Sequence, residues 1–278
     1  EANINWAERL EAVGAQGVYG VVGLKTHAKL LLVTRREGRR LRRYVHLSTG
    51  NYNPRTARLY TDIGYLSADP GLTADADGVF QQIASQARLR RPKQLVAAPF
   101  QLHRRMVQHL RDVARAAAAG RPARIVVKIN ALTDPALIEG LVQAGQAGAS
   151  IDLIVRGACM LPPGVPGATD NIRVRSVIGR FLEHTRIMYF RWGDSDDDEA
   201  LYLSSADWMG RNMFGRIEIA WPVQDAALRQ RVIDEGLVPY LHDRRDAWTL
   251  DASGRYTRVS EQGVSAQHAL MQRFGGTA

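Results

Sequence analysis

Apolar positions along the chain follow two rhythms. Short β-branched runs alternate with longer stretches in which apolar residues recur every three or four positions. Val18–Val22, Lys25–Val33 and Arg43–Leu47 belong to the first kind and predict strands. The last two are joined by a hairpin turn at Glu37-Gly38. Residues 2–13 predict a helix with Ile4, Trp6, Leu10 and Val13 on its apolar face and Gly14 as its stop, and residues 73–88 predict a second. Leu102–Ala119 predicts a long helix, with Leu102, Met106, Leu110 and Val113 at core spacing and Arg104, Gln108, Arg111 and Arg115 on another face. Strands then follow at Ile125–Ile129, Ile151–Val155, Ile172–Val177, Ile187–Phe190, Leu201–Leu203 and Ile217–Trp221, with a helix at Pro135–Gln146. Residues 225–241 and 260–274 predict closing helices. Strands and helices in alternation predict an α/β sandwich. Arg90-Arg91-Pro92-Lys93 is charged and broken by proline, so a boundary is expected there, between a unit at 1–89 and a unit at 94–278.

Composition narrows the class. At 278 residues, 45% hydrophobic and 23% charged, the chain can bury a substantial core. No run approaches the ~18 apolar residues of a membrane span. Cys159 is the only cysteine, which excludes an internal disulfide and a cysteine zinc site and fits a cytoplasmic setting. The first residues carry no signal-peptide pattern. The chain opens at Glu1 without a methionine, which suggests a piece of a longer protein. The net charge of +9 is unevenly placed. Residues 1–60 hold 11 Lys/Arg against 4 Asp/Glu, and residues 86–128 hold 11 against Asp112 alone. Clustered base of this kind implies a polyanionic partner.

The chemistry begins at His27-Ala28-Lys29. On an extended chain His27 and Lys29 share a face, an arrangement suited to a phosphate: the ammonium holds the charge and the imidazole attacks phosphorus or moves a proton. Alone, such a tripeptide is weak. It has an echo at His184-Thr185-Arg186. Each histidine follows a glycine break, at Gly23 and Gly179, and opens an apolar strand, a charged hairpin and a return strand. Each return strand ends in a small polar turn, Ser48-Thr49-Gly50-Asn51 or Ser204-Ser205-Ala206-Asp207. His27 to Asn51 is 24 positions and His184 to Asp207 is 23. Two such units packed about a pseudo-twofold axis would bring both histidines to one phosphate, with Lys29 and Arg186 neutralising its oxygens.

This plan resembles the phospholipase D superfamily, whose repeated His-x-Lys motifs work through a phosphohistidine. That family usually carries an acid five residues after the lysine, where this chain has Thr34 and Arg191. The stretches 23–29, 44–53, 56–62, 153–157 and 203–209 together resemble the catalytic half of polyphosphate kinase, in order and over nearly the whole chain. The resemblance implies two phospholipase-D-like α/β sandwich domains related by the internal repeat, the first incomplete. It implies reversible transfer of the ATP terminal phosphate to polyphosphate through a phosphohistidine at His27. It places ATP contacts at Tyr60, Arg156 and His184 and a further phosphate contact at Arg216, beside Arg186 and Asn51 of the repeat. Tyr60 would stack on adenine.

The resemblance also implies Mg2+, held by residues expected upstream of Glu1, and homo-oligomers of a longer protein that is cytoplasmic or peripheral to a membrane. ATP, ADP and inorganic polyphosphate are the expected partners; no dedicated nucleic-acid or membrane-spanning partner is expected. Two alternatives use the same residues: a phospholipase-D-like phosphodiesterase or nuclease, and a non-catalytic polyanion-binding fragment.

Overall fold

The structure is a computed structural model and describes residues 2–18, 20–85 and 92–275. Helix α1 (Ala2–Glu11) leads into strands β1 (Lys25–Thr26), β2 (Leu30–Glu37) and β3 (Arg40–Ser48), then β4 (Tyr60–Thr61), β5 (Gly64–Ser67) and helix α2 (Pro70–Ser85). Strand β6 (Val96–Ala98) and helix α3 (Leu102–Ala118) open the second part. There follow β7 (Arg124–Ile129), α4 (Pro135–Gln146), β8 (Ser150–Val155), β9 (Ile172–Val177), β10 (Leu182–Glu183), β11 (Arg186–Arg191) and β12 (Glu199–Ser204). The chain closes with α5 (Gly210–Phe214), β13 (Arg216–Pro222), α6 (Ala226–Gly236), α7 (Val238–His242), β14 (Ala247–Leu250), β15 (Tyr256–Arg258) and α8 (Ala266–Phe274).

A ten-stranded mixed sheet forms the frame, in the order β1-β13-β12-β11-β7-β8-β9-β14-β15, with β6 also on β13. Strands β7, β8 and β9 run parallel; β7 and β8, joined by the crossover helix α4, end at Ile129 and Val155, placing Asn130 and Arg156 at one sheet end. One face of this sheet packs Ile125, Val127, Ile151 and Leu153 against Leu102, Met106, Leu110 and Val113 of α3 and Leu137 and Leu141 of α4. The other face packs Val126, Ile154, Ile187, Leu203 and Ile219 against Val45 and Leu47 of β3 and Leu72, Ala76 and Val79 of α2. Alternation along β7 and β8 thus feeds two cores, and the second core joins the two parts of the chain.

The internal repeat is present in three dimensions. In the first unit β2, β3 and β5 form an antiparallel sheet; in the second β11, β12 and β13 do the same. The register agrees: the Ser48 N–H donates to Lys29 O at 3.0 Å, and Ser204 lies opposite Arg186. Ser48 Oγ accepts the Gly50 N–H as Ser204 Oγ accepts the Ala206 N–H, both at 3.0 Å. The units also exchange short strands. Strand β1, which precedes His27, runs parallel to β13, pairing Lys25 with Arg216; β10, which precedes His184, runs parallel to β4, pairing Leu182 with Tyr60. Strand β2 is an edge strand, whereas its counterpart β11 is bordered by β7.

Several expectations need correction. Residues 18–22 form no strand among the described positions, only an isolated bridge between Val21 and Leu24. Gly20 and Gly23 have φ of 97° and 79°, a left-handed backbone that interrupts any run the valines would favour. The expected strand over 25–33 is split into β1 and β2, with His27, Ala28 and Lys29 between them. The expected helix over 225–241 breaks after Gly236, because Pro239 in the first turn of α7 has no N–H to continue the ladder. The closing helix begins only at Ala266, and the hairpin β14–β15 precedes it, short and half-exposed on the sheet edge. The expected helical end at 86–88 and linker residues 90 and 91 lie outside the described residues.

Candidate active site

The break between β1 and β2 turns His27 towards the second unit. The Ile217 carbonyl accepts the His27 N–H at 2.9 Å, and His27 Nδ1 meets Glu218 Oε2 at 2.8 Å. A carboxylate accepts, so Nδ1 carries a proton, and in the neutral ring Nε2 keeps the lone pair. Glu218 is fully buried and also accepts from Ser205 Oγ at 2.5 Å and Asn212 Nδ2 at 2.6 Å. His27 itself is 22% exposed, open enough for Nε2 to meet a ligand.

The second histidine repeats this arrangement from the opposite side. His184 Nδ1 donates to Asp62 of the first unit, 2.9 and 3.0 Å from its two oxygens, and Thr49 Oγ donates to Asp62 at 2.7 Å. Each histidine is therefore oriented by a carboxylate of the other unit. The Tyr60 ring lies 5.1 Å from the His184 ring, centroid to centroid. Arg186 Nη1 lies 3.0 Å from His184 Nε2. Burial pushes the His184 pKa down and Arg186 adds to this, with Asp62 opposing, so the ring is neutral near pH 7.

Lys29 is the electrostatic centre. It is 7% exposed, and its Nζ makes no hydrogen bond. Burial chiefly lowers its pKa to about 8; Arg186 and Arg216 add to the shift, and Glu218 and Asp62 oppose it. A buried, unpartnered ammonium within the field of both carboxylates and two arginines is a ready site for an anion. Burial favours the neutral amine, so the charge is present below about pH 8 and lost as pH rises through it. Affinity for a triphosphate should then fall about fivefold between pH 8 and 9 if the ammonium is required. Titration calorimetry across this range checks this, and Lys29→Met should flatten the profile.

Of the other expected residues, Arg186 and Arg216 act on Lys29 directly. Arg186 is 3% exposed and donates to Asp207 from Nε at 3.2 Å and Nη2 at 3.1 Å. Asp207 Oδ1 accepts the Asn130 N–H at 2.8 Å. Asn130 Oδ1 accepts from Arg156 Nε at 3.2 Å, and its Nδ2 donates to His184 O at 3.4 Å. Arg156 is thereby brought to the His184 side, half-buried at the end of β8. Arg216 is half-buried opposite Lys25. Asn51 is exposed, unlike Asp207, its buried counterpart in the repeat. His109 is a core histidine, stacked between Phe190 and Trp192 with its pKa lowered to about 4 by burial. Among the described residues no group of three or more His, Cys, Asp or Glu side chains could hold a metal. Glu218, Asp62 and Asp207 are taken by His27, His184 and Arg186, so these residues do not fit a magnesium site.

Sequence reasoning left Asp62, Glu218, Thr49, Ser205, Asn212 and Asn130 without roles. One signal was available: Thr49 to Asp62 and Ser205 to Glu218 are both 13 positions, so the repeat extends past its polar turns. Gly50 belongs to the same device. A Cβ there would overlap the Asp62 carboxylate, so Gly50→Ala should drive Asp62 off His184. The loss of that partner should lower the His184 pKa further, as read by NMR titration, and cost about 1–3 kcal/mol of stability. An unchanged His184 titration would show that the loop relaxes instead.

The fold and the two cross-paired histidines define a class of internally repeated α/β proteins, and comparison with known proteins gives the family. Residues 95–270 match the family model described as polyphosphate kinase C-terminal domain 2, and residues 1–89 match polyphosphate kinase C-terminal domain 1. The chain belongs to the polyphosphate kinase family. It is 53% identical to a polyphosphate kinase of Burkholderia cenocepacia and 51% identical to one of Paraburkholderia phytofirmans, in each case over 99% of this chain and 40% of the relative. The chain thus spans about two fifths of the length of these relatives. The crystal structure of polyphosphate kinase from Porphyromonas gingivalis superposes with a TM-score of 0.90 at 34% identity, covering 99% of this chain and 42% of that one. No helix among the described residues is long and apolar enough to cross a membrane.

Proposed function

We propose that this chain carries the phosphoryl-transfer centre of a polyphosphate kinase, with units at 1–89 and 94–278 contributing one histidine each. The observation that carries the reading is His27: its Nδ1 is fixed on buried Glu218, which leaves Nε2 free, and the unpartnered ammonium of Lys29 lies in the field of the same Glu218. In the first step Nε2 attacks the γ-phosphorus of ATP. An N–P bond forms, the γ-phosphorus–oxygen bond breaks, and ADP leaves with the electron pair. In the second step a terminal oxygen of polyphosphate attacks the phosphohistidine. An O–P bond forms, and the N–P electrons return to Nε2. Transfer between phosphates is nearly balanced, so both directions are open.

The remaining residues hold charge and position. Lys29, Arg186 and Arg216 neutralise the transferred group. Arg156 binds phosphate oxygens of the nucleotide, and Tyr60 packs against its base. Asn51 donates to a phosphate oxygen at the mouth. Arg186 turns from His184 to an incoming phosphate, and neutral His184 then takes a proton from the entering phosphate oxygen. Magnesium, expected on residues upstream of Glu1, would supply charge neutralisation on the phosphates; none of the described residues is assigned to hold it. The basic hairpin at 35–43 suits a long polyanion. In the cell we place the protein in the cytoplasm, as a homo-oligomer at the relatives' full length.

The test uses a polypeptide of that full length carrying this segment, incubated with γ-labelled ATP and short polyphosphate. Label should pass through an acid-labile, alkali-stable protein species into lengthening polymer. Label released only as inorganic phosphate would make the site a hydrolase. Polyanion binding with no label at all would make it a binding module.

A further inference from the structure

The two histidine–carboxylate pairs are alike in geometry but differ in what holds the carboxylate. We infer that Ser205 and Asn212 are positioning residues for His27, clamping Glu218 so that His27 keeps its proton on Nδ1 and presents Nε2. The inference rests on His27 being the phosphorylated group.

Glu218 is 0% exposed and is met on both oxygens. His27 Nδ1 and Ser205 Oγ lie at 2.8 and 2.5 Å from Oε2, and Asn212 Nδ2 lies at 2.6 Å from Oε1. In the first unit Asp62 has Thr49 and His184 as donors, and its side chain is 20% exposed. The position six before Asp62, matching Asn212, is Thr56, whose hydroxyl donates to Asn53 O instead. The extra donor is therefore found on the His27 side alone.

Two observations favour a purpose for it. Glu218 lies in the field of Lys29, whose buried Nζ has no hydrogen-bond partner. An unclamped carboxylate would turn to that ammonium and release His27. Asn212 is 1% exposed, and its Oδ1 is left without a partner. The fold thus tolerates a buried unsatisfied acceptor to keep an N–H on Glu218. The chemistry needs such fixity. As the N–P bond forms at Nε2 the ring becomes cationic, and a carboxylate held on Nδ1–H stabilises that charge while barring the tautomer protonated on Nε2.

The test is NMR of the chain labelled with 15N in histidine, which needs no nucleotide. Wild-type His27 should show a single neutral tautomer protonated on Nδ1. Ser205→Ala and Asn212→Ala should each give a mixture of neutral His27 tautomers. Ser205→Thr, which copies Thr49 of the first unit, should restore the wild-type spectrum. In the full-length protein, initial phosphorylation should slow about tenfold in the two alanine variants and recover in the threonine variant, as orienting partners elsewhere suggest. If Asn212→Ala does not fold, Ser205→Ala decides. Folded alanine variants that keep the single Nδ1–H tautomer would overturn the inference. A tautomer change with no phosphorylation in any protein, wild type included, would uphold the clamp and instead refute the phosphohistidine reading.

Discussion

His27→Ala should abolish the acid-labile protein label and lower polyphosphate synthesis by about 10⁴-fold or more, since no other group replaces a covalent nucleophile. His184→Ala should behave differently. The nucleophile and its clamp on Glu218 remain, so label should still form, more slowly, and its passage to polymer should be the step most impaired. The contrast follows from the exchanged carboxylates: Glu218 serves His27 and Asp62 serves His184, so each substitution leaves the other pair intact. Quenched-flow labelling separates the two steps. Equal loss of label in both variants would mean that the histidines act as one unit, and the division of roles proposed here would fall.

The largest effect on stability is expected behind the site rather than in it. Lys128 Nζ and Glu183 Oε2 are 2.7 Å apart, and each side chain is 3% exposed. Glu183 also accepts from Thr61 Oγ at 2.7 Å and Gln267 Nε2 at 2.5 Å, and Lys128 lies over the Tyr240 ring at 3.4 Å. Burial lowers the Lys128 pKa, but Glu183 and Tyr240 together, through charge and hydrogen bonding, outweigh it and raise the value. This network ties β7, α7 and α8 to the β4–β10 pair, whose next residues are Asp62 and His184. Lys128→Met leaves a buried, uncompensated carboxylate and should cost about 3–5 kcal/mol, a fall in Tm of roughly 6–20 °C for a chain of this size. Lys128→Met with Glu183→Met should recover much of the loss. Thermal unfolding by circular dichroism checks both. A double variant no more stable than the single would show that the ion pair contributes as a pair and not only by satisfying Glu183.

The legible parts of the fold were those where one period dominates. Helix α3 buries Leu102, Met106, Leu110 and Val113 at the expected spacing, and β7, β8 and β9 follow their β-branched runs. Illegible were elements decided by neighbours. Strands β1, β4 and β10 are two residues each and exist because the units exchange them. Strands β14 and β15 extend a sheet edge that the local sequence does not announce.

The site divides along the same line. His27, Lys29, His184 and Arg186 could be read because the repeat places like residues at like positions. Asp62 and Glu218 could not be paired with their histidines from order alone. Each lies 122 or 191 positions from its partner, and the partner belongs to the other unit. Only the common 13-residue offset from Thr49 and Ser205 marked them as equivalent.

The most direct test is to find the phosphorylated atom. The full-length protein, labelled with ATP and quenched in alkali, can be digested and mapped by mass spectrometry, and the nitrogen assigned by 31P NMR of the intact protein. The account predicts phosphate on Nε2 of His27 and on no other residue. Phosphate on His184, or on Nδ1 of His27, would contradict it.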